Sequence, residues 1–298
     1  RGVATGLYGL GAMMAPAIGP TLGGLLTEHF AWPSIFFVNL PVGAAGIAAA
    51  FLLLRRDPPA GPRVRLNVVS FVLLTVALSS LITFLAKGQE NSWLQSDFIV
   101  TLMAVFVLSA ALYLWWELRS PDPLLDLRLF RIRNFSLAVG VLCGVSFVAY
   151  GALLLGPLYM SHLRGYPTLT AGLSILPLGI LTAVFSVVGG LVSDRISPKW
   201  VLLAGVVGLG LGCWLLTSLD LYTSKYTMIW YFVIFGVPMG LCFPPAQTVA
   251  FADLPESAVN MGSGITNVAR LVTGSIATSF CVTALERVQD KAFAGIAA

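Results

Sequence analysis

FSLAVGVLCGVSFVAYGALLLGPL, residues 135–158, runs for 24 residues without one charged side chain. The hydrocarbon core of a bilayer is about 30 Å thick, and an α-helix of about 20 apolar residues crosses it. Lipid cannot hydrogen-bond the amide and carbonyl groups of an open backbone, so a stretch of this length and composition forms a helix. The stretch therefore predicts a transmembrane helix.

The same pattern repeats along the chain, with charged residues confined to short clusters between apolar stretches. We identify nine stretches, at residues 3–26, 33–54, 66–86, 98–116, 135–158, 168–192, 200–219, 227–251 and 258–284. Only the last contains a charged residue, Arg270. A closed β-barrel would instead show short segments of alternating polarity. The sequence predicts an all-α membrane protein with nine transmembrane helices.

The composition also separates this chain from soluble proteins. Apolar residues make up 57% and charged residues 10% of its 298 positions, against roughly 45–50% and about 25% in soluble domains. The cysteines all lie inside apolar stretches and lack metal-ligand spacing. They are Cys143, Cys213, Cys242 and Cys281. We expect no metal ion and no cofactor.

Basic residues between the stretches set the orientation, because loops rich in Lys and Arg stay in the cytoplasm. With Arg1 in the cytoplasm, alternate loops carry eleven basic residues on the cytoplasmic side and five on the outer side. The chain is therefore predicted to start inside and to end outside. Basic residues beside a membrane face anionic lipid, which explains the net charge of +4 without a nucleic-acid partner.

The first stretch carries spaced small residues around one proline. Residues 19–24 read GPTLGG, and Ala15 lies four positions before them. Small residues let a second helix approach closely, while Pro20 removes a backbone donor and bends the helix. The pattern resembles the antiporter motif of the major facilitator superfamily, which has glycine in place of Ala15; ordinary helix packing is the alternative. The positions concerned are Gly6, Ala15, Gly19, Pro20, Gly23 and Gly24.

Two further segments extend the resemblance. Residues 36–43 read FFVNLPVG, and residues 123–130 in a later loop read PLLDLRLF. Both are similar to the matching segments of the fourteen-helix drug:proton antiporters of the EmrB/QacA type, a branch of the same superfamily. The family segment in the second stretch comprises Asn39, Pro41 and Gly43.

This resemblance implies a register and an activity for the whole protein. In that family two six-helix halves flank two extra helices, so the chain would carry helices five to thirteen. Residues 1–54 would end the N-terminal half, residues 55–134 would hold the two linking helices with cytoplasmic loops, and residues 135–298 would form the C-terminal half without its last helix. Helices one to four and helix fourteen would be absent from this chain.

The implied function is proton-coupled multidrug efflux across the cytoplasmic membrane by alternating access. Small apolar or cationic drugs would be the substrates, protons the coupling ions and membrane lipid the surroundings. In Gram-negative hosts the resemblance also implies a periplasmic adaptor and an outer-membrane channel as partners.

A loop after the sixth stretch resembles a second superfamily motif. Residues 190–199 read GLVSDRISPK, with Ser197 in place of a glycine of the motif. The resemblance implies a latch, in which Asp194 and Arg195 bind a helix end or loop in one conformation and release it in the other. A solvated turn is the alternative. The latch residues are Gly190, Asp194, Arg195 and Lys199.

Arg270 is the charged residue inside the ninth stretch. A charge at membrane depth costs roughly 2.5–3.5 kcal/mol on insertion scales and usually faces a cavity or a partner. Asn267 lies three residues earlier on the same helix face, so the two residues form a candidate intramembrane polar site. The family has a similar Asn-x-x-Arg before a glycine-rich stretch, matched here by Gly274. We expect a conformational or coupling role, with incidental packing as the alternative.

Several side chains in the C-terminal stretches are candidates for a substrate path, because promiscuous sites repack around varied apolar molecules. They are Phe147, Tyr150, Tyr159, Phe185, Phe243 and Gln247. Plain helix packing is the alternative for each of them. Pro238, Pro244 and Pro245 interrupt the eighth stretch and could bend or break its helix, as in transporter gates.

No Asp, Glu or His lies deep in any of the nine stretches. A proton-coupled transporter needs a titratable group at membrane depth, so we expect the coupling carboxylate outside this chain. An intramembrane enzyme is disfavoured for the same reason, since a nucleophile would have no base beside it. Transport of another cargo, such as a lipid or a metabolite, and a truncated product that does not transport remain as alternatives.

Overall fold

A computed structural model describes residues 18–19, 21–30, 32–53, 67–91, 93–121, 123–220 and 222–297. Within these residues every regular element is a helix. Helical residues 21–29 and a single-turn helix, Ser34–Phe37, come first. The long helices are α1 (Asn39–Leu53), α2 (Val68–Lys87), α3 (Asp97–Arg119), α4 (Arg133–Leu158), α5 (Thr168–Arg195), α6 (Pro198–Leu216), α7 (Lys225–Ala252) and α8 (Glu256–Ala297).

Eight of the nine predicted spans are helices long and apolar enough to cross a membrane. The helices α2 to α8 account for seven, and the single-turn helix together with α1 makes the eighth, over Ser34–Leu52. The remaining prediction, residues 3–26, lies mostly outside the described residues. The all-α membrane fold is confirmed.

Two helices run further than the sequence pattern indicates. The prediction ends the last helix at residue 284, whereas α8 continues to Ala297. Residues 285–297 read LERVQDKAFAGIA, and the Leu, Glu, Arg, Gln, Lys and Ala residues among them favour helix even in water. Hydrophobicity therefore marks the end of the apolar span and not the end of the helix. Helix α4 likewise continues as a π-helical turn, Tyr159–Leu163.

Helix α7 packs between α5 and α6, and glycines make both contacts close. A Cβ atom on Gly240 of α7 would lie 2.5 Å from the carbonyl oxygen of Thr182 on α5. A Cβ atom on Gly208 of α6 would lie 2.7 Å from the Cβ atom of Pro238 on α7. Because only glycine lets the backbones come this close, these positions set the spacing of the three helices.

The three prolines of α7 do not break it. Pro238, Pro244 and Pro245 all lie inside the continuous helix and are buried. The alternative of a broken helix is therefore wrong for this segment. Tight packing against α5 and α6 holds the helix together, as membrane helices commonly accommodate proline.

The remaining helices make four further contacts. Helix α4 packs against both α7 and α8, and α2 pairs with α3. Near its predicted outer end α8 also reaches α2, where the Ser279 hydroxyl donates a hydrogen bond of 2.9 Å to the carbonyl oxygen of Leu85. The intramembrane cation, Arg270 of α8, lies where it contacts both α4 and α7.

Candidate functional site

Arg270 lies where α8 faces α4 and α7. Its Nε atom donates a hydrogen bond of 3.4 Å to the Ser146 hydroxyl of α4. Its Cζ atom lies 4.3 Å from the centroid of the Phe243 ring of α7. A cation–π contact of this kind contributes roughly 0.5–2 kcal/mol, with the larger values away from water. Three helices thus converge on one cation within the membrane span.

Gly274 brings α4 and α8 together one turn beyond Arg270. A Cβ atom at this glycine would lie 2.7 Å from the Tyr150 ring, so the ring packs directly against the α8 backbone. Tyr150 and Ser146 are four residues apart and share one face of α4. The predicted path residue Tyr150 therefore lies next to the Arg270 site.

The polar residues that precede Arg270 on α8 have different surroundings. Asn267 and Asn260 are exposed, whereas Arg270 is half-buried. The buried Thr266 hydroxyl donates to the carbonyl oxygen of Gly262 in its own helix, at 2.7 Å. The contacts described for Arg270 come from α4 and α7, and a shared role of Asn267 and Arg270 stays a prediction.

A cavity of about 690 Å³ lies between the outer ends of α4, α6, α7 and α8. Pockets for drug-sized ligands measure about 300–1,000 Å³. Two of the predicted path residues, Phe147 and Tyr159, line the cavity, and its polar lining includes His162 and Glu286. Tyr159 and His162 belong to the π-helical turn that ends α4, a type of turn that is frequent at functional sites.

The loop after α6 closes over this turn. The Tyr159 hydroxyl donates a hydrogen bond to the backbone carbonyl of Asp220. The Asp220 carboxylate accepts a hydrogen bond of 2.8 Å from the Thr223 hydroxyl, and this bond holds the pKa of Asp220 below its usual range. The loop is therefore ordered around an ionised carboxylate at neutral pH.

The six path candidates separate into four places. Phe147 and Tyr159 line the outer cavity, and Tyr150 and Phe243 lie at the Arg270 site. Phe185 of α5 packs against Gly240, where a Cβ atom on the glycine would lie 2.9 Å from that of Phe185. The sixth candidate, Gln247, is buried one turn after Phe243 on α7. The sequence pattern did not distinguish these environments.

The predicted latch residues lie at the junction of α5 and α6. Gly190 is buried, whereas Asp194, Arg195 and Lys199 are exposed. Arg195 occupies the last turn of α5, where a positive charge interacts favourably with the helix dipole. These positions suit a cytoplasmic surface contact, and the latch stays a prediction.

The antiporter motif is only partly described. Gly6, Ala15 and Pro20 lie outside the described residues. Gly24 is buried, while Cβ atoms on Gly19 or Gly23 would meet nothing within 4 Å among the described residues. The residues of the family segment, Asn39, Pro41 and Gly43, are exposed.

One contact nevertheless joins the motif segment to the C-terminal helices. The Thr21 hydroxyl donates a hydrogen bond of 2.8 Å to the carbonyl oxygen of Gly172 on α5. Thr21 lies inside the motif stretch 19–24, but the motif pattern assigns it no role. Threonine usually bonds within its own helix, so no local signal marks it as a link between distant segments.

Two further polar residues were missed. Ser146 is a small residue within an apolar stretch, and only the fold places it beside Arg270. Glu117 lies near the end of α3, beyond the apolar stretch 98–116, yet it is 3% exposed. It is bonded to Ser70 of α2 and to the loop that follows α3, and the sequence of α3 alone identifies neither partner.

Comparison with known proteins gives matches over nearly the whole chain. Identity is 33% over 273 residues with the multidrug resistance protein Stp of Mycobacterium tuberculosis, covering 92% of this chain and 50% of Stp. It is 29% over 294 residues with the multidrug export protein EmrB of Escherichia coli, covering 95% and 56%. It is 27% over 290 residues with the lincomycin resistance protein LmrB of Listeria innocua, covering 97% and 61%. The chain spans about half the length of the curated relatives it matches.

A protein-family model agrees with these pairwise similarities. The model is described as the Major Facilitator Superfamily and matches residues 1–278. That range includes the motif segment, the helices α2 and α3, which are the two predicted linking helices, and the Arg270 site. The all-helical fold and its eight described spans fit the same assignment. The chain belongs to the Major Facilitator Superfamily.

Proposed function

We propose that the whole protein is a secondary active transporter that exports small apolar or cationic drugs across the cytoplasmic membrane in exchange for protons. The superfamily consists of transporters rather than enzymes. The names of Stp, EmrB and LmrB support a drug as the cargo. Alternating access is the mechanism that the resemblance to antiporters implies.

The observation that carries the proposal is Arg270 at the junction of three helices. A charge inside a membrane span is costly and therefore indicates a function. The hydrogen bond to Ser146 is long, at 3.4 Å, and the contact with Phe243 is a cation–π contact. Arg270 thus joins three helices at membrane depth, so a shift of these helices relative to one another would change its contacts.

Arg270 does not carry the proton itself, because a guanidinium stays protonated at every physiological pH. A fixed cation instead stabilises an ionised carboxylate nearby and loses that attraction when the carboxylate is protonated. Protonation would thereby shift the equilibrium between two conformations. In the eight described spans, Asp, Glu and His occur only near the ends, so we assign the coupling carboxylate to other helices of the whole protein.

The substrate would contact α4. This helix contributes Ser146 and Tyr150 to the Arg270 site and Phe147 to the outer cavity. An apolar or cationic drug moving outward along α4 would pass aromatic rings before it reached the polar outer rim. An adaptor and an outer-membrane channel remain part of the proposal for Gram-negative hosts only.

Drug susceptibility tests the proposal with the full-length protein. It would be expressed in a bacterial strain that lacks its own drug pumps, as wild type, Arg270→Ala and Arg287→Ala. Arg287 is an exposed arginine of the same helix beyond the apolar span, and so it is a matched control. We expect wild type and Arg287→Ala to raise the drug concentration that stops growth at least fourfold over the strain without the protein. Arg270→Ala should give the same inhibitory concentration as that strain.

The contrary outcomes are distinct. Equal resistance from wild type and Arg270→Ala, at equal abundance in the membrane, would contradict the role of Arg270. A wild-type protein that exports no drug, but transports a lipid or a metabolite in vesicles, would contradict the drug assignment. That second result would leave the superfamily and the fold untouched.

A further inference from the structure

The linking pair α2–α3 contains a buried carboxylate near its cytoplasmic end. Glu117 of α3 is 3% exposed. One carboxylate oxygen, Oε2, accepts a hydrogen bond of 2.6 Å from the Ser70 hydroxyl of α2. The other, Oε1, accepts a hydrogen bond of 2.6 Å from the backbone N–H of Leu125. Burying a carboxylate is costly unless both oxygens are bonded, and hydrogen bonds to a charged acceptor are the strong ones.

The ends of the two helices are joined by further polar contacts. Asn67 caps α2 by accepting a hydrogen bond of 3.1 Å from the Ser70 N–H. Its side-chain amide donates to the Ser120 hydroxyl at 2.9 Å, and its Oδ1 accepts from the Trp116 indole at 3.3 Å. The pair α2–α3 is therefore one unit at this end, and Glu117 links this unit to the next loop.

The loop that Glu117 holds is docked on α8. The Leu125 side chain lies 3.7 Å from the position of a Cβ atom on Gly264. The neighbouring backbone N–H of Asp126 donates to the Met261 sulfur at 2.9 Å. A glycine opposite Leu125 lets the loop lie close to the helix. The position of this loop is therefore fixed by α3 on one side and by the cytoplasmic part of α8 on the other.

A second attachment lies on the outer side of the membrane. There the Ser279 hydroxyl of α8 donates to the carbonyl oxygen of Leu85 on α2. The linking pair thus touches α8 near both ends. Helix α1, which precedes the pair in sequence, is exposed over residues 39–52 within the part of the chain that the structure describes. The contacts described for the pair there are with helices that follow it.

We propose that Glu117 anchors the α2–α3 pair to the C-terminal helices α4–α8, so that the pair moves with them as one body and α1 moves relative to both. The linking helices are then an extension of the C-terminal body and not a hinge between two bodies. This inference goes beyond drug export, because it concerns which helices move together and holds for any cargo.

Distances between spin labels in the full-length protein test the proposal. Exposed positions suit the labels: Leu108 on α3, Leu271 on α8 and Phe51 on α1. Distances would be measured in nanodiscs at two pH values and with and without ethidium as the probe. We expect one narrow α3–α8 distance that stays constant across conditions, and an α1–α8 distance that changes. An α3–α8 distance that changes as much as the α1–α8 distance would overturn the proposal.

Variants of Glu117 test the anchor itself by hydrogen exchange at residues 123–126. Glu117→Gln replaces the charged acceptor, and the matched control is Asp97→Asn at the exposed outer end of the same helix. The Gln side chain keeps a carbonyl acceptor but carries no charge, so its hydrogen bond is weaker, and exchange at the Leu125 amide should be about 10-fold faster. The control should exchange like the wild type. Unchanged exchange in Glu117→Gln would refute the anchor.

A milder variant distinguishes loss of the Glu117 anchor from a folding defect. Ser70→Ala removes one of the two hydrogen bonds and leaves the carboxylate bonded to Leu125. We expect it to fold normally, to broaden the α3–α8 distance less than Glu117→Gln does, and to speed exchange less. If Ser70→Ala and Glu117→Gln both leave the α3–α8 distance narrow, Glu117 does not anchor the pair.

Discussion

At the scale of single residues, the proposed transport function depends on how Arg270 is held. Its cost within the membrane is reduced by one hydroxyl and one aromatic ring, Ser146 and Phe243, each from a different helix. Both of these partners are uncharged, and both lie on helices other than α8.

A double-mutant cycle measures the contact between Arg270 and Phe243. We expect Arg270→Ala and Phe243→Leu together to lower the free energy of unfolding by less than the sum of their separate effects. The difference should be roughly 0.5–2 kcal/mol, the size of a cation–π contact. The measurement is the stability of the purified full-length protein in detergent.

The control for this cycle is another buried phenylalanine of the same helix. Phe235 is 1% exposed and belongs to a separate apolar cluster. Phe235→Leu therefore removes a similar amount of core packing without touching Arg270. Effects of Phe243→Leu and Arg270→Ala on the free energy of unfolding that add as independently as those of Phe235→Leu and Arg270→Ala would contradict the contact.

The sequence identified Arg270 but not its surroundings. A charge in an apolar stretch is visible without any structure, because the cost of inserting it is a local property. Ser146 lies 124 positions away, and a serine in a membrane helix carries no sign of its partner. Glu117 shows the opposite limit, since the partners that bury it, Ser70 of α2 and the loop after α3, are not visible in the sequence of its own helix.

At the scale of helices, the C-terminal bundle is held at fixed spacing by glycines. The length of the apolar stretches predicted eight described spans correctly, because a span needs only enough apolar residues to cross the lipid. The same stretches gave no information about which helices touch, since helices in lipid are apolar on every side. The close contacts of α7 with α5 and α6 depend on individual glycines, and their partners become apparent only in the fold.

Adding one methyl group at Gly240 tests this packing. Its Cβ atom would lie 2.5 Å from the Thr182 carbonyl oxygen and 2.9 Å from the Ser186 backbone nitrogen. Backbone atoms cannot move aside, so α5 and α7 must separate. We expect Gly240→Ala to cost about 1–3 kcal/mol and to lower the melting temperature in detergent by about 2–10 °C.

Gly210 of α6 provides the comparison for this variant. A Cβ atom there would meet nothing within 4 Å among the described residues. Alanine also favours helix over glycine, so Gly210→Ala should melt at the same temperature as the wild type or slightly above it. Identical melting temperatures for the two variants would show that α5 and α7 are not as close as described.

At the scale of the whole molecule, the chain is a multi-pass protein of the cytoplasmic membrane. Its orientation stays a prediction from the basic loops, eleven residues against five. The placement of residues 1–54, 55–134 and 135–298 in three parts of a fourteen-helix protein stays a prediction from resemblance. The linking pair α2–α3 would then lie between two halves while being attached to the second.

Cysteine labelling tests the orientation. Ser197 lies in the loop predicted to be cytoplasmic, and Tyr222, which is 90% exposed, lies in a loop predicted to be outside. With the four native cysteines replaced, a membrane-impermeant maleimide should label Tyr222→Cys in intact cells and Ser197→Cys only after permeabilisation. The reverse pattern would show that the chain starts outside and would invert the predicted topology.

Proton-driven drug export by the full-length protein is the central claim, and ethidium uptake into everted membrane vesicles tests it most directly. The pH gradient would be imposed and then collapsed with an ionophore, for wild type and for Arg270→Ala. We expect uphill uptake by the wild type that stops when the gradient collapses, and no uphill uptake by Arg270→Ala. Uptake by the wild type that continues unchanged after the collapse would contradict it.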